Sequence, residues 1–190
     1  GDVLYNGNPV ELRNPAAAKK LGIQIVYQEV DMALIPTLTV AENVMFNDLV
    51  MNMGHKQFVN YGKIRKDAKE ALARLNVNID VRRMCGTLTL AQKQMVLIAR
   101  AVQSACNFLI LDEPTAPLSD TETEELFRVV RHLRKTENLA VIFITHRIHE
   151  VLQICDSYTV MRNGEIVDTT PITPKTTSKE IVDKMLGRSF

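Results

Sequence analysis

The stretch Cys106-Asn107-Phe108-Leu109-Ile110-Leu111-Asp112-Glu113-Pro114-Thr115 decides the fold. Four apolar residues in a row, bounded by a polar Asn and by two acids and a proline, predict a strand buried on both faces of a parallel sheet. The fold class is therefore α/β. The two carboxylates fall at the strand's carboxyl end, the edge where open α/β sheets bind ligands, and an Asp there suits Mg²⁺ with phosphates filling its other positions. Glu113 follows at once and is expected to point the opposite way along the pleat, free to orient or deprotonate a water. An acid pair after a strand is also a common way to begin a solvated loop, so the neighbouring motifs carry the decision.

Working outward, Ala140-Val141-Ile142-Phe143-Ile144 is a second continuous apolar run and predicts another buried parallel strand, ending at Thr145-His146. Ile23 to Tyr27 predicts a third, running into Gln28-Glu29. Two helix starts carry capping boxes, Thr39 with Glu42 and Thr89 with Gln92, each worth on the order of 1 kcal/mol. Behind Thr89, the stripe Met95, Ile98, Ala99 and Val102 predicts a long buried helix, whose N-terminus offers N–H groups and a positive dipole end suited to phosphate.

These segments together resemble the ATP-binding cassette ATPases. Phe108 to Thr115 resembles the family's Walker B segment, Gln28 its Q-loop, Leu88 to Ala101 its signature helix and His146 its switch histidine, all in the family's order. The resemblance implies that Asp112 supports Mg²⁺, Glu113 is the catalytic base, Gln28 reaches Mg²⁺ and the attacking water, and His146 bonds the terminal phosphate. Thr89, Leu90, Ala91 and Gln92 would then cover nucleotide bound by a partner cassette, and Thr115 to Ser119 resembles the loop that meets that partner. Gln94-Met95-Val96, Ile98-Ala99-Arg100-Ala101 and the closing Met185-Leu186-Gly187-Arg188 resemble the first cassette of tandem carbohydrate importers.

The sequence departs from the family at two places. The usual Leu-Ser-Gly-Gly-Gln is here Leu88-Thr89-Leu90-Ala91-Gln92, so side chains replace both glycines where backbone would approach phosphate. Degenerate signatures occur in one half of double-cassette sugar importers, which leaves open whether this composite site hydrolyses ATP. No Gly-x-x-x-x-Gly-Lys-Ser/Thr phosphate loop occurs either. By the resemblance that loop would precede Gly1. The implied fold is thus a P-loop NTPase-like parallel sheet with an inserted α-helical subdomain, N-terminally truncated. Residues 1–27 and 105–190 would form the catalytic-core part and 28–104 the helical subdomain. The missing strand would lie beside Ala140 to Ile144, and the exposed edges would favour low stability or an oligomer.

The remaining chain is read by local signals. Asn6-Gly7 and Asn163-Gly164 predict hairpin turns. Asn14-Pro15 starts a helix that Gly22 ends, Ser119 or Thr121 caps a helix closed by Asn138, and Ser178 starts the last one. Asp48 to Met84 is mainly helical, with Ile64, Ala68, Ala71, Leu72 and Leu75 inward, and 76–83 is expected to loop back toward the sheet. Met45, Met51 and Met53 are read as core fillers.

Composition narrows function. A formal charge of +1 in 190 residues gives no footprint for nucleic acid. Three scattered cysteines fit neither a disulfide frame nor a metal site. No apolar run reaches the roughly 20 residues of a spanning helix, so work at a membrane requires another chain to span it. The resemblance implies an ATP- and Mg²⁺-dependent subunit, peripheral on the cytoplasmic face of the plasma membrane. Its partners would be permease subunits of a sugar importer and a second cassette. A non-enzymatic cassette remnant that docks on such partners, and a soluble cassette ATPase acting on ribosomes or DNA, are the rival readings.

Overall fold

In the computed structural model of the protein, residues 2–52 and 59–187 are described; Met53, Arg188 and the side chain of Met51 lie outside them. The chain forms two compact units, residues 1–142 and 143–190. The first opens with the expected hairpin, β1 (Val3–Tyr5) and β2 (Asn8–Val10), turning through Asn6 and Gly7 at positive φ. Helix α1 (Pro15–Lys20) follows, capped by the Asn14 side chain on the Ala17 N–H.

Strand β3 (Ile23–Val26) leads to the short α2 (Val30–Ala33), α3 (Val40–Val44) and α4 (Phe46–Asn52). Helix α5 (Tyr61–Arg74) buries Ile64, Ala68, Ala71 and Leu72 as its periodicity requires. The 76–84 loop does not return to the sheet. It runs along the start of α3, where Val40 and Ala41 donate their N–H groups to the Arg83 and Val81 carbonyls. Those donors are the orphans of a helix N-terminus, which a neighbouring loop satisfies as well as a side chain does. Met45 is buried as expected.

Helix α6 (Leu90–Gln103) begins at the Thr89–Gln92 capping box and buries Met95, Ile98, Ala99 and Val102. Strand β4 (Phe108–Asp112) pairs in parallel with β3, Ile23 opposite Phe108 through Val26 opposite Leu111. Helix α7 (Asp120–Glu137) takes Ser119 as its cap, boxed with Glu122, and ends at Asn138 in the left-handed region. Strand β5 (Ala140–Ile144) completes the order β3-β4-β5.

The sheet is less buried than its sequence suggests. Leu109 and Leu111 are fully buried, but Phe108, Ile110 and Asp112 on the opposite face of β4 are only half-buried. The expected burial of β5 is not found: Ile142 and Ile144 are 44% and 45% exposed. A continuous apolar run reports what a strand can bury, whereas coverage is decided by whatever packs on it.

In the unit 143–190, α8 (Ile148–Ile154) precedes the antiparallel pair β6 (Ser157–Arg162) and β7 (Glu165–Pro171), turned at Asn163-Gly164 with a register shift between Val160 and Met161. Helix α9 (Ser178–Leu186), capped by Thr177, closes it. A small core of Tyr158, Val160 and Ile181 gathers Ile148, Val151, Leu152 and Ile172 around it. Over that core Lys184 Nζ reaches Asp168 Oδ2 at 2.7 Å, Glu180 Oε1 at 2.9 Å and the Tyr158 hydroxyl at 2.8 Å. The thiols of Cys106 and Cys155 are pushed up to about 11 by burial, so neither is a thiolate at neutral pH.

Two outcomes follow for stability. Gly22 has φ +76°, and a Cβ there would meet Asn107 Nδ2 at 2.8 Å and the Ala105 carbonyl at 2.9 Å. Gly22→Ala is therefore expected to lower the urea midpoint by roughly 2–3 kcal/mol of stability, and Gly7→Ala, at a turn with open space, by about 1 kcal/mol. Equal effects from the two would refute the steric account. Lys184 holds the carboxyls of Asp168 and Glu180 below the usual range. Their contribution is complete above about pH 4.5 and is lost as pH falls through the lowered values. Lys184 is itself raised, so its contribution is complete below about pH 10 and lost above its raised value. Lys184→Met is expected to flatten the acid limb of thermal unfolding for this unit, read by circular dichroism between pH 3 and pH 6.

Candidate functional site

Parallel pairing brings the ends of β3 and β4 to one edge. One residue beyond the Val26–Leu111 pair stand Tyr27 and Asp112, and there a cleft of about 540 Å³ opens, lined by Tyr27, Gln28, Glu29, Met32, Ala33 and Asp112. Gln28 and Asp112, predicted separately from the sequence, thus share one cavity. Its walls are the β3 end, the α2 helix and the acid of β4. An apolar lining with a few convergent polar groups is the usual character of a ligand cleft.

Glu113 lies just past β4, and its position is not the one pleat alternation predicts. The strand ends at Asp112 and Glu113 adopts φ +43°, a left-handed conformation that strains a non-glycine residue by on the order of 1 kcal/mol. Its carbonyl accepts from the Ala116 N–H at 3.2 Å, closing a tight turn through buried Pro114 and Thr115. The direction of the Glu113 carboxylate is therefore set by this turn rather than by the sheet. Among the described residues six non-glycine residues have positive φ, and four of them are asparagines, the residue type that tolerates it; Glu113 is an exception beside a cleft.

The predicted signature segment forms the N-terminus of α6. Thr89 Oγ1 accepts from the Gln92 N–H at 3.2 Å, and the Gln92 side chain accepts from the Thr89 N–H at 3.3 Å. Both side chains are thus engaged in the cap, and the first-turn N–H groups of Leu90 and Ala91 are those a helix leaves outside its own ladder. Leu90 is 39% exposed at this end.

His146 belongs to the unit 143–190, in the exposed turn between β5 and α8. Glu150, fully buried, braces that turn: its Oε2 accepts from the Thr145 hydroxyl at 3.1 Å and its Oε1 from Arg147 Nη1 at 3.3 Å. The Arg147 N–H donates to Thr145 Oγ1 at 3.0 Å. Sequence reasoning passed over Glu150 and Arg147 and gave Thr145 no role. The available signal was an acid inside a short amphipathic helix four residues after the histidine.

The donor set fits a nucleotide-bound Mg²⁺. Among the described residues no group of three or more His, Cys, Asp or Glu side chains converges as a self-sufficient metal site. The Asp112 and Glu29 carboxylates and the Gln28 amide on one cleft are instead few donors, the number suited to an ion held mainly by phosphate oxygens and water. No helix among the described residues is long and apolar enough to cross a membrane.

Comparison with known proteins gives the family. The chain is 41% identical over all of its length to a ribose import ATP-binding protein of Rubrobacter xylanophilus, of which it covers 36%. It is 38% identical to the ribose import ATP-binding protein of Geobacillus kaustophilus, covering 37% of it. It therefore spans little more than a third of the length of the curated relatives it matches. Among solved structures, cbiO1 from Clostridium perfringens, part of the ABC transporter complex cbiONQ, superposes with a TM-score of 0.74 at 27% identity, over 97% of this chain and 69% of that one. An ATP-binding cassette in its ADP conformation gives 0.73 at 23% identity, over 95% and 71%, a likeness of fold alone. The ABC transporter family profile matches residues 1–116, the stretch that runs from the first hairpin through the cleft and the Asp112-Glu113 turn, and the chain belongs to that family.

Proposed function

We propose that this chain is part of the ATP-binding and ATP-hydrolysing subunit of a carbohydrate importer, one that couples ATP hydrolysis to sugar uptake through a membrane permease. The observation that carries the reading is the meeting of Gln28 and Asp112 in one cleft at the carboxyl edge of a parallel pair. The names of the relatives, ribose import ATP-binding proteins, supply the substrate class. Residues 1–27 and 105–190 belong to the catalytic core of the cassette in this reading, and 28–104 to its helical subdomain.

Asp112 and Gln28 would hold Mg²⁺, which when bound neutralises charge on the phosphate oxygens. Glu113, aimed by its own tight turn, takes the proton of the attacking water. Gln28 orients that water, and His146, held by the Glu150 brace, donates a hydrogen bond to the terminal phosphate. Thr89 to Gln92 presents the α6 N-terminus to nucleotide held by a second cassette. The subunit works at the cytoplasmic face of the plasma membrane with permease subunits that span it.

A second reading, a cassette remnant that docks on the permease or on another cassette without turnover, draws on two features. The sequence contains no phosphate loop, and Leu90 stands exposed where the family has glycine. In either reading these 190 residues alone hydrolyse no ATP.

Titration calorimetry with Mg-ATP separates the possibilities. The 190-residue chain is expected to show no binding at millimolar ATP, and a chain carrying an upstream phosphate loop is expected to bind. Tight binding by the short chain would overturn the assignment of the phosphate site. In the hydrolysing protein, with any second cassette silenced, Glu113→Gln is expected to lower kcat at least about 100-fold with ATP affinity kept within about threefold. Near-normal turnover in that variant would remove Glu113 from the chemistry.

A further inference from the structure

Ala33, on the wall of the cleft, ends α2, and its carbonyl accepts from Arg100 Nη1 at 2.8 Å. The rest of the same guanidinium goes to α3: Nε donates to the Asn43 carbonyl at 2.6 Å and Nη2 to Asn43 Oδ1 at 3.0 Å. Asn43 is fully buried and its amide is used on every side. Oδ1 also accepts from the Ile35 N–H, and Nδ2 donates to the carbonyls of Ile35, Thr39 and Leu38. The ring of Phe46 lies 5.5 Å from the guanidinium carbon. A second attachment lies two helical turns away, about 10 Å along α6, where Lys93 Nζ meets Asp31 Oδ1 at 2.6 Å. The short α2 is thus fastened to α6 near both its ends, and α6 begins at Thr89–Gln92.

We propose that Arg100 is a positioning residue: through the Ala33 carbonyl and Asn43 it fixes the wall of the cleft that carries Gln28 onto α6, so that this wall and the α6 N-terminus move as one body. The proposal rests on the reading of the cleft as the ATP site. Only a guanidinium meets the three acceptors at once, because its N–H groups form a rigid planar fork, while an ammonium offers one rotating point. Burial lowers the Arg100 pKa but leaves the group charged at any ordinary pH. A wall held by three charge-assisted bonds yields by shifting together with its anchor, since separation would break all three. In a merely structural role, Arg100 would govern how much protein is folded but not how the folded protein turns over.

The test uses the full-length protein with Arg100→Lys, which keeps stem and charge and loses the fork. Hydrogen exchange is expected to speed at least tenfold over residues 33–44 and to stay unchanged in α7; unchanged exchange over 33–44 overturns the clamp. Turnover is expected to fall at least tenfold with the KM for ATP within threefold. In a Gln28→Ala background, Arg100→Lys is expected to cause no further loss, because both act through the same side chain. Losses that multiply would overturn the proposal. Asp31→Ala, an exposed change outside the buried network, guards against misfolding of the first variant. It is expected to speed exchange over 30–33 and to give a smaller kcat loss that also vanishes in the Gln28→Ala background; unchanged exchange, or a loss that persists there, counts against the clamp. A full-length wild type that hydrolyses no ATP would overturn the proposed function alone, and the exchange measurement would still decide the clamp.

Discussion

The register of β3 on β4 is the constraint from which the site follows. Val26 stands opposite Leu111, so the next residues on the two strands, Tyr27 and Asp112, arrive at the same edge and the cleft opens between them. Side chains alternate with a period of two, so a slip of one residue would turn Leu109 and Leu111 out of the core and carry Asp112 to the other face. The ladder resists that slip because one face of the pair is dry: Gln24, Val26, Leu109 and Leu111 are all buried. Hydrophobic burial on one side of a strand pair thereby fixes the place of two polar groups at its end.

Much of this was legible because it depends on neighbours in sequence. Capping boxes at Thr39 and Thr89 need only residues three apart, and both are present in the structure. The Asn-Gly turns need only the two residues that tolerate positive φ. What could not be read depends on coverage by distant chain. The apolar run of β5 is as strong as that of β4, yet Ile142 and Ile144 are exposed while Leu109 and Leu111 are not. The loop after α5 gave no sign in sequence that its carbonyls would cap α3, since the match is between groups some forty residues apart.

The candidate site divides in the same way. Asp112 and Glu113 were identified by residue type at a strand end and Gln28 by its resemblance to the family's Q-loop, and the structure brings Gln28 and Asp112 to one cleft. The left-handed turn at Glu113 was missed because alternation along the strand was extended one residue too far. Arg100 stands in the Ile98 to Ala101 run, where a cation in an apolar helix gives no sign of which carbonyls it will meet. Glu150 was missed for the converse reason: an acid in a short helix usually faces solvent, and here it is fully buried.

Half-buried Arg100 and fully buried Glu150 show how polar groups removed from water serve geometry. A buried charge loses hydration that pairing only partly restores, and well-packed apolar replacements of such groups are often neutral or stabilising. Neither residue is therefore explained by stability. Each instead has several acceptors or donors arranged around it in one orientation, Ala33 and Asn43 oxygens for Arg100 and the Thr145 and Arg147 side chains for Glu150. Apolar side chains could fill both places at native density, but packing is indifferent to small slides, whereas a forked hydrogen-bond set has one geometry. The segments so fixed are the ones that carry Gln28 and His146. Precision at exposed polar side chains of the candidate site is thus obtained one layer inward, from hydrogen-bonded charges that the core itself does not require.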